Sequence, residues 1–122
     1  MAMKRLMIAD GSDVVRKVGR KILSELGFQV ADASTGREAL VLCERELPDF
    51  LIVDAAMDDA LDLISNVRAL PNGKDVRIYY CVIEAELKVM MAGKRAGAND
   101  FLLKPFDRQI LTATFGDKAM AA

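Results

Sequence analysis

The chain has 122 residues and a formal net charge of −1, long enough for one hydrophobic core and too evenly charged to favour nucleic acid or an anionic membrane surface. No apolar run approaches the roughly 20 residues of a membrane-spanning helix, and the run after Met1-Ala2-Met3-Lys4-Arg5 is too short for a signal peptide, so a cytoplasmic protein is expected. Histidine is absent, which removes the commonest general base and any imidazole triad; the two cysteines, Cys43 and Cys81, share no metal or redox spacing and read as small buried hydrophobes.

Arg5 to Ala9 reads as a first strand. Asp10-Gly11-Ser12-Asp13 breaks it and offers helix N-caps. Val15, Val18, Ile22 and Leu26 then recur at helical spacing, with Gly19 marking a close approach inside the helix and Gly27 a left-handed C-cap. Phe28 to Ala33 alternates as a second strand. Thr35-Gly36-Arg37-Glu38 fits a capping box that opens a helix through Leu40, Cys43 and Leu47, and Pro48 bars its continuation. Phe50, Leu51, Ile52 and Val53 form an apolar run without alternation, the mark of a strand buried on both faces; it ends in the carboxylate of Asp54.

Ala55-Ala56-Met57-Asp58-Asp59 reads as a loop, followed by a helix with Ala60, Leu63, Ile64 and Val67 on one side. Pro71-Asn72-Gly73 is a turn. Val76 to Ile83 is a fourth strand, Glu84 to Ala96 a helix with Leu87, Met90 and Met91 inward, Asp100 to Leu103 a short fifth strand. Lys104-Pro105-Phe106 closes that strand, and Asp107 begins a last helix that fades after Phe115-Gly116. The single domain, 1–122, ends in a frayed tail from about residue 117, Met120-Ala121-Ala122 included.

Five strands alternating with five helices specify an α/β protein with a doubly wound parallel sheet. At this length the expectation is a flavodoxin-like sheet in the order 2-1-3-4-5. Strands 1 and 3 are then neighbours, and Asp10 and Asp54 sit side by side at the carboxyl edge where ligands bind in such sheets. Val82 and Lys104 end strands 4 and 5 at the same crevice. An isolated carboxylate at the end of a buried strand is costly. Two of them with a lysine make a plausible site for phosphoryl transfer: a carboxylate can attack phosphorus, oxygen ligands suit Mg2+, and a lysine suits a phosphoryl oxygen.

These residues carry a resemblance. Ile8-Ala9-Asp10 before a helix with Val15-Arg16, Pro48-Asp49-Phe50 opening a strand that ends at Asp54, Arg95-Ala96-Gly97-Ala98-Asn99-Asp100-Phe101, and Lys104-Pro105-Phe106 together resemble the receiver domain of two-component response regulators, of the single-domain chemotaxis (CheY-like) type, from Leu6 to about Phe115. The resemblance implies that Asp54 is the phosphoacceptor and that Mg2+ is held by Asp10, Asp54 and the backbone carbonyl of Ala56. It implies that Lys104 contacts the phosphoryl group and that the Lys104–Pro105 bond is cis. It also implies partners: a histidine kinase or histidine phosphotransfer protein as donor, and a downstream protein read through the helix 4, strand 5, helix 5 face. Such a domain is a signalling phosphoprotein of a phosphorelay rather than an enzyme, with at most weak autodephosphorylation.

Four departures qualify this. The family's second acid after strand 1 is Gly11 here. The Ser or Thr that ends strand 4 is Val82, which leaves a phosphoryl oxygen short of a hydroxyl, about 1–3 kcal/mol. The aromatic switch position on strand 5 is Phe101, without a hydroxyl. The loop after Asp54 is shorter by about two residues and lacks its proline and glycine; Asp58 or Asp59 is a candidate substitute metal ligand if that loop turns inward. The leading expectation is therefore a stand-alone receiver that accepts a phosphoryl group on Asp54 and signals through protein contacts. The alternative is a degenerate pseudo-receiver acting as a phosphorylation-independent interaction module. A flavin-type binder on the same sheet is disfavoured, because Asp10 and Asp13 place negative charge where a phosphate would sit.

Overall fold

The computed structural model describes residues 3–119; of the tail expected to fray from about residue 117, Met120-Ala121-Ala122 lie outside them, while Lys118 and Ala119 are held by hydrogen bonds and do not fray. Five parallel strands, β1 (Arg5–Ala9), β2 (Gln29–Ala33), β3 (Phe50–Asp54), β4 (Arg77–Val82) and β5 (Asp100–Leu103), form one sheet in the order β2-β1-β3-β4-β5. Five helices connect and follow them: α1 (Asp13–Glu25), α2 (Gly36–Arg45), α3 (Ala60–Ala69), α4 (Leu87–Ala96) and α5 (Arg108–Phe115). This is the expected flavodoxin-like arrangement.

Burial follows position in the sheet. Four of the five residues of β1 and of β3 are buried, and five of the six of β4. The edge strand β2 instead alternates exposed and covered residues, as a strand with one solvated face does. Met7, Leu51, Val53, Ile78, Tyr80 and Val82 point to one face, where α2, α3 and the half-buried part of α4 cover them. Leu6, Ile8, Ile52, Tyr79, Cys81 and Leu102 point to the other, under α1 and α5. Phe28, Phe50, Tyr79 and Phe115 meet there with ring centroids 4.8–6.4 Å apart, a spacing that adds to simple burial.

The caps hold the register. Thr35 accepts from Glu38 N at 3.1 Å, and Glu38 Oε1 accepts from Ser34 N, one residue before the capping-box position. Gly27 has φ +108° after α1, as its C-cap role requires. Gly19 lies where a Cβ would stand 2.8 Å from Ile8 Cδ1, so α1 rides close over β1. Beyond α5 a short turn brings Ala119, which is buried, to accept a hydrogen bond from Lys4 N at 2.8 Å.

Two faces differ from the sequence reading. In α1 the buried residues are Gly19, Ile22 and Leu23, while Val18 is 45% exposed; the glycine, invisible to a hydrophobic pattern, turns the helix. In α4 the expected inward residues Leu87 and Met91 are exposed and Met90 is half-buried; only Gly93 is buried. Helix α4 also begins at Leu87, after an exposed Ile83–Glu86 loop, and not at Glu84.

Candidate functional site

The parallel registers Ala9↔Val53 and Asp54↔Cys81 bring the carboxyl ends of β1, β3 and β4 to one level. Asp10 follows β1 directly and Asp54 ends β3; both are buried. Lys104 follows β5, where its amide donates to Val82 O at 2.8 Å and its bond to Pro105 is cis. Its ammonium lies 2.6 Å from Asp10 Oδ2 and 3.1 Å from Asp54 Oδ1, and its side chain is 16% exposed. Three groups separated by up to 94 residues thus meet at one rim.

Backbone donors complete the setting. Asp10 Oδ1 accepts from Ser12 N at 2.8 Å, and Asp54 Oδ1 accepts from Ala56 N at 3.0 Å. Arg16 donates to the carbonyl of Asp10 at 2.6 Å and pairs with Asp13 and Asp32, so the first turn of α1 is tied to the end of β1. The Ser12, Ala56 and Arg16 contacts escaped the sequence reading. The aspartate-to-amide bonds two residues on are Asx turns, a pattern visible in any Asp-x-x stretch and too common to single these out. Asp54 Oδ2 has no protein partner among the described residues and is not sealed off from solvent.

Burial pulls the Lys104 pKa down, but its hydrogen bonds to Asp10 and Asp54, and their charges, more than offset this and leave it above the ordinary lysine value. The ammonium is therefore fully charged near neutrality. Cys81, behind it in β4, is driven by burial to about 12, only partly opposed by Lys104. Both cysteines are free and buried, as the sequence suggested.

An opening of about 360 Å3 lies over Asp54, bordered by Ala56, Val82, Ile83, Glu84 and Glu86. Val82 is buried and gives this wall a methyl surface in place of a hydroxyl. Phe101 is half-buried on β5 and pairs with Tyr80. Gly11 is exposed, and a Cβ there would meet only Ser34 O, at 4.0 Å.

The substitute acids do not complete the pocket. Asp59 faces away from it: Oδ1 accepts from Gly36 N and Oδ2 from Arg37 N, both at 3.1 Å. The N-terminus of α2, with its unpaired amides and positive dipole end, holds this carboxylate, and Gly36 leaves it room, since a Cβ there would stand 2.6 Å from Asp59 Cγ. Asp58 is exposed. Among the described residues no cluster of three or more acidic, cysteine or histidine side chains could hold a metal. The donor set is thus two carboxylates with an ammonium between them, which fits an ion that takes one or two carboxylates and keeps several waters, as Mg2+ does.

The family described as response regulator receiver domain matches residues 6–115. Response regulator MprA of Mycolicibacterium vanbaalenii is 34% identical over 111 residues, covering 89% of this chain and 47% of its own length. The chain therefore spans about half of that relative. Chemotaxis response regulator CheY4 of Vibrio cholerae superposes with a TM-score of 0.88 at 28% identity, over 93% of this chain and 97% of its own. The receiver domain of sensor histidine kinase PA1611 from Pseudomonas aeruginosa PAO1, described with a magnesium ion in its active site cleft, superposes with a TM-score of 0.83 at 27% identity, over 93% and 94%.

Proposed function

Because the chain belongs to the response regulator receiver domain family, we propose that it accepts a phosphoryl group on Asp54 and passes the change to a partner protein. One observation carries this reading: Lys104 Nζ lies between the carboxylates of Asp10 and Asp54, 2.6 and 3.1 Å away, at the carboxyl edge of the sheet. Asp54 Oδ2 has no protein partner among the described residues, and Asp54 lines the opening beside the lysine.

In the proposed reaction Asp54 Oδ2 attacks phosphorus and forms an acyl phosphate. The bond from phosphorus to the donor breaks, and a phosphohistidine donor leaves as imidazole, taking its proton from solvent. Asp54 Oδ1 stays fixed by Ala56 N, which orients the attacking oxygen. Lys104 pivots from Asp54 onto a phosphoryl oxygen, where its charge offsets the one that develops. Asp10, Asp54 and the Ala56 carbonyl would hold Mg2+, which when bound neutralises phosphoryl charge.

The donor in this reading is a histidine kinase or histidine phosphotransfer protein. The reader is a protein that docks on the α4–β5–α5 face, where Leu87, Met91 and Leu103 are exposed. No helix among the described residues is long and apolar enough to cross a membrane. The reading places the domain in the cytoplasm, a compartment that keeps thiols such as Cys43 and Cys81 reduced.

The test is fluorine NMR of the protein with beryllofluoride and Mg2+. Wild type is expected to give a bound resonance that Asp54→Asn abolishes; no bound resonance at any Mg2+ concentration rejects the reading. A second reading, a phosphorylation-independent interaction module, is favoured by Gly11 and Val82, which remove an acid and a hydroxyl from the pocket. It would stand if the bound resonance were missing while a partner still bound the Asp54→Ala variant.

A further inference from the structure

Helix α4 buries fewer of its residues than any other α-helix among the described residues. Its one buried residue is Gly93, and the ring that fills the space beneath is Tyr80. A Cβ added at Gly93 would stand 2.7 Å from Tyr80 Cε2 and closer still to Cδ2. Tyr80 is itself 3% exposed. In the sheet it pairs with Val53, one residue before Asp54, and with Phe101. On β4 it shares a face with Val82, two residues on, and Val82 borders the opening over Asp54. Asp54 and Val82 line one opening, Val82 and Tyr80 belong to one buried cluster, and Tyr80 lies against Gly93; neither Val82 nor Phe101 has a hydroxyl with which to bond a phosphoryl oxygen or a loop.

We propose that Tyr80 is the positioning residue that passes the state of Asp54 to α4, by the contact of its ring with Gly93. This rests on the phosphoacceptor reading. A group seated on Asp54 presses on Val82, and Val82 on the ring. A rigid ring against a glycine has few intermediate positions, because close-packed interiors switch between arrangements and do not deform smoothly.

The test uses the full chain labelled with 15N-glycine, which gives a small set of amide signals from eight glycines. Gly93 and Gly97 report on α4, since Gly97 N donates to Gly93 O at 3.2 Å. Beryllofluoride with Mg2+ is expected to shift both signals in wild type. Tyr80→Leu should cut that response several-fold while the bound fluorine resonance persists. Tyr80→Phe, which keeps the ring, and Phe101→Leu should both retain it. Gly93→Ala, which presses a methyl group into the ring from the helix side, should displace the Gly97 signal before any addition and blunt its response. An unchanged glycine response in Tyr80→Leu, or in Gly93→Ala should Tyr80→Leu not fold, overturns the proposal. So does beryllofluoride binding that leaves Gly93 and Gly97 unmoved in wild type. Failure of beryllofluoride to bind wild type overturns the phosphoacceptor reading, and this inference with it.

Discussion

Replacing Lys104 with methionine is expected to destabilise the protein by about 3–5 kcal/mol at neutral pH, the usual cost of removing one partner from a buried ion pair. The same measurement on Asp54→Asn should show a much smaller loss. The asymmetry comes from the charges. Lys104 serves two carboxylates, at 2.6 and 3.1 Å. Without it, two buried carboxylates lose their shared counter-charge, and an uncompensated buried charge is what makes breaking such a pair costly. Without the Asp54 charge, Asp10 and Lys104 remain as a matched pair. Urea unfolding of the two variants checks this, and equal midpoints would contradict it. Methionine keeps most of the lysine stem, so lost packing contributes little.

The pH dependence follows from the direction of the lysine shift. The folded-state pKa of Lys104 lies above its ordinary 10.5. The stability its charge contributes is therefore complete below about 10.5 and is lost as pH rises through the higher folded value. In the methionine variant that alkaline loss should disappear.

Gly11→Asp is expected to raise Mg2+ affinity at least tenfold, about 1.4 kcal/mol, by returning a third carboxylate to a site whose ion affinity scales with ligand charge. The position accepts a side chain without strain, because a Cβ there would meet nothing nearer than Ser34 O at 4.0 Å. Asp59→Ala should leave Mg2+ affinity unchanged, since both its oxygens serve the N-terminus of α2. Calorimetric titration of Mg2+ into the three proteins decides. An equal affinity for wild type and Gly11→Asp would mean that the ion is bound without the acidic pocket.

The strands were legible in the chain from local signals, their order from the alternation of strands and helices at this length, and the meeting of Asp10, Asp54 and Lys104 from that order. Unbroken apolar runs mark central strands, and a carboxylate or lysine after such a run marks its carboxyl end. What escaped depends on partners far along the chain. Asp59 caps α2 across 22 and 23 residues, so nothing beside it in sequence shows that its oxygens are taken. Arg68 donates to the carbonyls of Gly73, Val76 and Gly97 and to Asn99, fastening α3 to the loops before β4 and β5, yet reads as one more charged residue near a helix end. The face of α4 was misread because hydrophobic spacing scores side chains, and the contact there is a ring from β4 against a glycine with none.

The central claim is that Asp54, held between Lys104 and the Ala56 amide, is the nucleophile toward phosphorus. Incubation with acetyl phosphate and Mg2+, followed by mass spectrometry of the intact chain and its peptides, tests it most directly. The account predicts one added phosphoryl group, mapped to Asp54 and missing from Asp54→Asn. A wild-type chain that stays unmodified, or carries the group on another residue, would contradict it.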